Sequence, residues 1–174
     1  DRFRGLMVGL AAGDALGHAA HGLPAGAWAS WVLGNHDQPR FASPSRAGRD
    51  QAKVGMLLLL TLRGTPTLYY GDELGMENVA IPADRVQDPW EKNEPGLGLG
   101  RDPSRTPMPW DASCHAGFTT GEPWLPLSPD HARRNVARMA QDPGSILTLY
   151  RRLSALRRAH PALHAGSYAT VASD

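Results

Sequence analysis

Cysteine is almost missing from this chain: Cys114 stands alone among 174 residues. One thiol excludes a disulfide framework and a cysteine-based metal cluster. An excess of one charge is missing as well. Eighteen Lys and Arg face seventeen Asp and Glu, a formal net charge of +1. Nothing in that balance draws the chain to nucleic acid or to an anionic membrane surface. No apolar run approaches the ~20 residues of a membrane-spanning helix. Gly5 to Ala12 is apolar behind Arg2 and Arg4, but it is short, Gly-rich and followed by Asp14, unlike a signal peptide. The expectation is no nucleic acid, no membrane, no metal, no cofactor and a cytoplasmic location.

Proline (15) and glycine (19) are plentiful instead, which predicts long irregular loops. The length suffices for one domain with a core, but falls short of the ~250 residues of a complete (β/α)8 barrel. In the opening stretch, Phe3, Leu6, Met7, Leu10 and Leu16 suit one face of a helix. Gly5, Gly9 and Gly13 flatten its other side for close packing. Gly22 to Gly26 then reads as a linker.

The stretch Trp31-Val32-Leu33-Gly34-Asn35-His36-Asp37-Gln38-Pro39-Arg40 reads as a buried strand, Ala27 to Leu33, that stops at a polar cluster. Polar residues at a strand's carboxyl end suit catalysis in α/β enzymes; they equally suit a plain polar loop. After a loop from Phe41 to Arg49, Asp50 is placed to cap a helix running to about Arg63. Its centre, Val54 to Leu62, is apolar almost all round, so the helix is expected to be buried on most sides. Gly64 and Pro66 end it. Thr67 to Tyr70 reads as a second strand, and Gly71 to Gly75 as a tight polar turn. Strand, helix and strand in that order predict a parallel pair with a right-handed crossover.

Glu77 to about Pro126 carries little periodicity, and a loop of such length is usually functional. Ser128-Pro129-Asp130 is a helix start, predicting a helix to about Ala140. Asp142-Pro143 predicts another to about His160, with Ile146, Leu149, Tyr150, Leu153 and Leu156 on its apolar face. The arginines of that helix are expected on a solvated face. His164 to Asp174 reads as the first strand of a further element.

Taken together, three blocks resemble glycoside hydrolase family 13, the α-amylase superfamily, in its α-glucosidase and oligo-1,6-glucosidase branch. Asn35-His36-Asp37 is similar to the signature after the seventh barrel strand. Gly64-Thr65-Pro66-Thr67-Leu68-Tyr69-Tyr70-Gly71-Asp72-Glu73-Leu74-Gly75 is similar to the eighth strand and its turn. Gly100-Arg101-Asp102 through Arg105-Thr106-Pro107-Met108 and Trp110 is similar to a run of the α-glucosidase branch. The resemblance implies an α/β fold: the last two strand–helix units and a long loop of a (β/α)8 TIM barrel, preceded by a Gly-rich helix. It implies Asp37 as the carboxylate that stabilises the transition state. It implies His36 and Arg101 as substrate-binding residues. A carboxylate accepts sugar hydroxyls with bonds that strengthen as an oxocarbenium-like state develops; a guanidinium offers a fixed fork of donors. Glu73 is read as a structural partner of nearby arginines.

Retaining glycosidases use a nucleophile and an acid/base whose carboxyl groups lie ~5 Å apart. In the family, both precede the Asn-His-Asp block. Here only Asp1 and Asp14 are acidic before Asn35, and neither lies in such a motif. The expectation is a fragment or chimera of a retaining α-glucosidase, inactive alone, whose parent acts on α-glucosides such as maltooligosaccharides or isomaltooligosaccharides. Residues 1–22 resemble the opening helix of ADP-ribosylglycohydrolases, 23–163 the C-terminal portion of the barrel, and 164–174 the start of a β-domain. Three alternatives stand beside this reading: an ADP-ribosylglycohydrolase relative, a non-enzymatic fragment that self-associates, and a trehalose synthase or sucrose isomerase parent.

Overall fold

A computed structural model describes residues 28–166. The Gly-rich opening helix, the linker after it, and all but the first residues of the expected last strand lie outside them. Strand β1, Ser30–Val32, pairs in parallel with β2, Thr65–Thr67, with Trp31 opposite Pro66. Between them runs helix α1, Arg49–Thr61. This is the expected order of strand, helix and parallel strand. Pro66 fits because, among the described residues, each strand has one unpaired side, where a missing N–H costs nothing.

Strand β2 lies earlier than Thr67 to Tyr70. Its partner ends at Val32, so pairing stops, and Tyr69 and Tyr70 turn instead onto the Arg40 guanidinium, 5.0 and 4.7 Å from their ring centres. Helix α1 begins at Gly48 without a side-chain cap, and Asp50 lies inside its first turn, where its charge favours the helix dipole. Its C-cap is Leu62, so Gly64 lies one residue beyond the C′ position expected for it. The helix buries Ala52, Gly55, Met56, Leu59 and Leu60, whereas Leu57 remains exposed. Val54 and Leu58 are partly buried against the core, so Leu57 is the exposed member of the apolar centre Val54 to Leu62. Gly55 is needed there: a Cβ would lie 2.5 Å from the Phe41 ring.

The long loop contains short elements: helix α2, Pro89–Asn93, capped by Asp88, and 3-10 turns at Ala83–Arg85 and Asp102–Ser104. The helix expected from Ser128 shrinks to α3, Val136–Met139, capped by Asn135. Asp130 is engaged elsewhere, 2.6 Å from Arg49 and 3.5 Å from Arg134, so its segment forms turns. Helix α4, Ile146–Ala159, is capped by Ser145. Asp142 precedes it in a turn that accepts the Gly144 N–H at 2.8 Å. Helices α1 and α4 pack together, and Leu33, Phe41, Leu59, Leu74 and Ile146 form the centre of the main core. That core holds the carboxyl ends of β1 and β2 side by side.

Candidate functional site

The chain leaving β1 is bent by its own side chain. Asn35 Oδ1 accepts the N–H groups of Asp37 and Gln38, both at 2.9 Å, an Asx turn that lifts His36 and Asp37 into solvent. Asp37 remains 47% exposed. Its Oδ2 lies 3.2 Å from His36 Nε2. Its Oδ1 accepts from Arg101 Nη1 at 3.2 Å and from Arg105 Nη2 at 3.1 Å. Asp37, His36 and Arg101, the three residues singled out in the sequence, are therefore brought together across 64 positions of chain.

Two further residues complete the cluster. Arg105 donates through Nε to the His36 carbonyl at 2.9 Å, so it holds the loop as well as the carboxylate. Asp88 is fully buried and accepts from Arg101 Nε at 2.7 Å and from the Arg101 backbone N–H at 2.9 Å. It also caps α2 through the Trp90 N–H at 3.0 Å. The Arg101 guanidinium holds the Asp88 carboxyl well below the usual carboxylate range; burial opposes this, and the N–H groups of Trp90 and Arg101 assist it. Asp102 in turn accepts the N–H groups of Gln87 and Asp88 at 2.6 and 2.8 Å. Arg101 thus reaches Asp37 from a braced base. In sequence, Asp88 lies unremarked in the loop of little periodicity, and Arg105 lies in a quoted run without a role of its own.

Behind the cluster, Arg40 is completely buried. Its Nη1 donates to the Tyr70 carbonyl at 2.7 Å, while Nε and Nη2 have no hydrogen-bond partner among the described residues. Asp72 lies close by, its carboxyl pushed up to about 6 by burial, with Arg40 opposing. Tyr70 is pushed up to about 12, again by burial first. Glu73 forms no ion pair with an arginine among the described residues. It faces a cavity of about 510 Å3 that also meets Arg105, Trp110 and Trp124, because the 3-10 turn at Asp72–Leu74 buries its neighbours Asp72 and Leu74 and turns Glu73 the other way.

Among the described residues, no group of three or more His, Cys, Asp or Glu side chains is placed to hold a metal ion. No helix among them is long and apolar enough to cross a membrane. With two cations and a histidine around one half-exposed carboxylate, the arrangement suits recognition of neutral polyhydroxyl groups, which donate hydrogen bonds to the carboxylate and accept them from the guanidinium groups.

The sequence profile described as the α-amylase catalytic domain matches residues 7–166. The match begins inside the Gly-rich opening, beyond the described residues. An oligo-1,6-glucosidase of Parageobacillus thermoglucosidasius is 37% identical over 169 residues, covering 84% of this chain and 30% of the relative. One from Halalkalibacterium halodurans is 39% identical over 170 residues with the same coverage. A probable α-glucosidase of Rhizobium meliloti is 40% identical over 143 residues, 80% of this chain and 26% of the relative. Among solved structures, a trehalulose synthase matches with TM-score 0.68 and 37% identity, over 80% of this chain and 30% of that one. An α-glucosyl transfer enzyme matches with TM-score 0.72 and 37% identity, over 78% and 26%. The chain spans about 30% of the length of the curated relatives it matches.

Proposed function

Because the chain belongs to the α-amylase catalytic-domain family, we propose that it forms one side of a glucose site in a retaining α-glucosidase. In this reading, residues 23–163 are the last two strand–helix units of a barrel and its long loop. Asp37 is the carboxylate that grips sugar hydroxyls as the ring flattens toward the oxocarbenium-like state. His36 and Arg101 bind the same sugar, and the substrate is an α-linked gluco-oligosaccharide. The nucleophile and the acid/base come from βα units outside this chain, since the chain carries neither motif ahead of Asn35.

A single observation supports this most: Arg101 and Arg105 converge on Oδ1 of Asp37, yet the carboxylate remains half exposed. A purely structural ion pair in a core would be covered. Here the cations fix the carboxylate, and one face stays open to a ligand. Preorganised charge of this kind acts without rearrangement at the moment of reaction. Likeness to trehalulose synthase and to an α-glucosyl transfer enzyme supports a second reading, in which an acceptor hydroxyl replaces water.

The test combines a chromogenic α-glucoside with a D-glucose titration followed through the His36 imidazole resonances. We expect no turnover by this chain alone, a shift of the His36 signals with glucose, and loss of that shift in Asp37→Asn. Turnover that survives Asp37→Ala, or glucose that leaves His36 unmoved, would overturn the reading.

A further inference from the structure

His36 and Asp37 sit on a short loop, Gly34 to Gln38, that leaves β1 after Leu33 and returns to the core at Pro39. Both ends of that loop meet one side chain. Arg46 Nη1 donates to the Leu33 carbonyl at 3.2 Å and to the Pro39 carbonyl at 2.9 Å. The β1–β2 pairing stops at Val32, so the Leu33 carbonyl lies past the last pair of the ladder. Arg46 is itself aimed at this place by the turns that follow the loop. The Arg40 carbonyl accepts the Ser43 N–H at 3.0 Å, and the Ser43 carbonyl accepts the N–H groups of Arg46 and Gly48 at 2.9 and 3.1 Å. The guanidinium carbon lies 5.8 Å from the centre of the buried Phe41 ring.

Arg46 forms no ion pair among the described residues. Burial holds its guanidinium below the ordinary arginine value, and the charge of Asp72 opposes this. A half-buried cation without a carboxylate beside it is costly, and what this one serves is a pair of neutral carbonyls. The loop is then held at three levels: at its base by Arg46, in its middle by the Asn35 side chain, and at its top by Arg105 on the His36 carbonyl. Arg101 and Arg105 also bond the Asp37 carboxylate, so a ligand that takes that carboxylate competes with both. The bonds of Arg46 are to the backbone alone. They persist while a ligand enters, and the cost of ordering the loop is then met before binding.

We propose that Arg46 is a positioning residue of the Asp37 site: by tying the Leu33 and Pro39 carbonyls together, it keeps the His36–Asp37 loop in its binding shape before sugar arrives. The proposal rests on the function proposed above, and the two fail separately. The test compares the parent with Arg46→Met, which keeps the apolar stem and removes the donors, and with Arg46→Lys, which keeps the charge and loses the fixed fork. Backbone amide relaxation reports the order of Asn35 to Gln38, with the amides of α1 as internal reference, and D-glucose is titrated against the His36 resonances. In Arg46→Met the order parameters of the loop should fall from the rigid range of ~0.85 toward ~0.6 while those of α1 hold. The His36 end point at saturation should stay where it is, and the glucose midpoint should rise about tenfold, as for a site whose competent form is populated about a tenth of the time. Arg46→Lys should fall between the two. A side chain that only supports the core would lower stability and leave loop order and glucose midpoint at the parent's values. That outcome, or equal loss of order in α1 and the loop, overturns the proposal. Should Arg46→Met fail to fold, Arg46→Lys decides, and parent-like order and midpoint there overturn it. If glucose leaves His36 unmoved in the parent, the sugar reading falls, and loop order alone decides on Arg46: loosening supports the clasp, and an unchanged loop refutes it.

Discussion

Asp72 sits beneath Gly34, where a Cβ would lie 3.2 Å from its Oδ1. That approach removes water from the carboxyl, and burial raises its pKa from the ordinary carboxylate range to about 6. A raised pKa means the folded state holds the proton more tightly than the unfolded chain does. Stability therefore falls as pH rises from about 4 through 6, and the loss is complete above that range. Asp72→Asn keeps a carbonyl for the Tyr69 N–H, which Asp72 Oδ2 accepts at 3.2 Å. The variant should be more stable than the parent at pH 7 by about 2–3 kcal/mol, with the gap closing below pH 4; urea unfolding across pH 3.5–7.5 measures it. Asp88 acts in the opposite sense: its lowered carboxyl stabilises above the ordinary carboxylate pKa, and that contribution is lost as pH falls below it. At this scale the Asp37, His36 and Arg101 cluster was legible, because its residues stand in recognisable runs. Asp88, Arg105 and Arg40 were not. Their importance lies in which distant group each meets, and spacing along the chain carries no trace of that.

Helix α4 was expected to turn its arginines to solvent, and Arg151, Arg152 and Arg158 do face solvent. Arg157 does not. It is buried and donates to the carbonyls of Leu60, Leu62 and Leu163 at 3.0, 2.9 and 2.7 Å, and to that of Gly64. The Leu60, Leu62 and Gly64 carbonyls lie at and just beyond the C-terminus of α1, and the Leu163 carbonyl lies just beyond that of α4, so the guanidinium ties the two helix ends together. Arg157→Met should destabilise the chain by about 3 kcal/mol or more, because four carbonyls lose this donor at once, those of Leu60 and Gly64 in buried bonds. Arg158→Met, on the exposed face, should change it by less than about 0.5 kcal/mol. Paired urea unfolding curves decide between them. Helix starts were misplaced for a related reason. Ser128 and Asp130 have capping chemistry, but Ser128 donates to Asp130 at 2.6 Å and Asp130 pairs with Arg49. Asn135 and Ser145, three residues ahead of the N–H groups they accept, cap instead.

Across the whole molecule, β1 and β2 form a two-stranded parallel sheet of three residues each. Parallel sheets are ordinarily covered on both faces and continued on both sides. Here the outer edge of each strand is unpaired among the described residues, while Trp28, Leu57 and Trp90 are exposed. The chain alone should be marginally stable and should associate. Sedimentation velocity should show species heavier than 18.7 kDa growing with concentration; a clean monomer that melts cooperatively would contradict this.

The order of strand, helix and parallel strand, the family and the residues Asp37, His36 and Arg101 followed from the sequence by itself, because apolar patterning and short contiguous runs are properties of neighbouring positions. Only the tertiary structure decided that Asp88 braces Arg101, that Arg105 joins the carboxylate to an aromatic cavity, and that Arg40 and Arg157 are buried. Each of these depends on groups dozens of residues apart meeting away from water, where an unpaired charge or carbonyl is costly. Distance and desolvation exist only once the chain has folded.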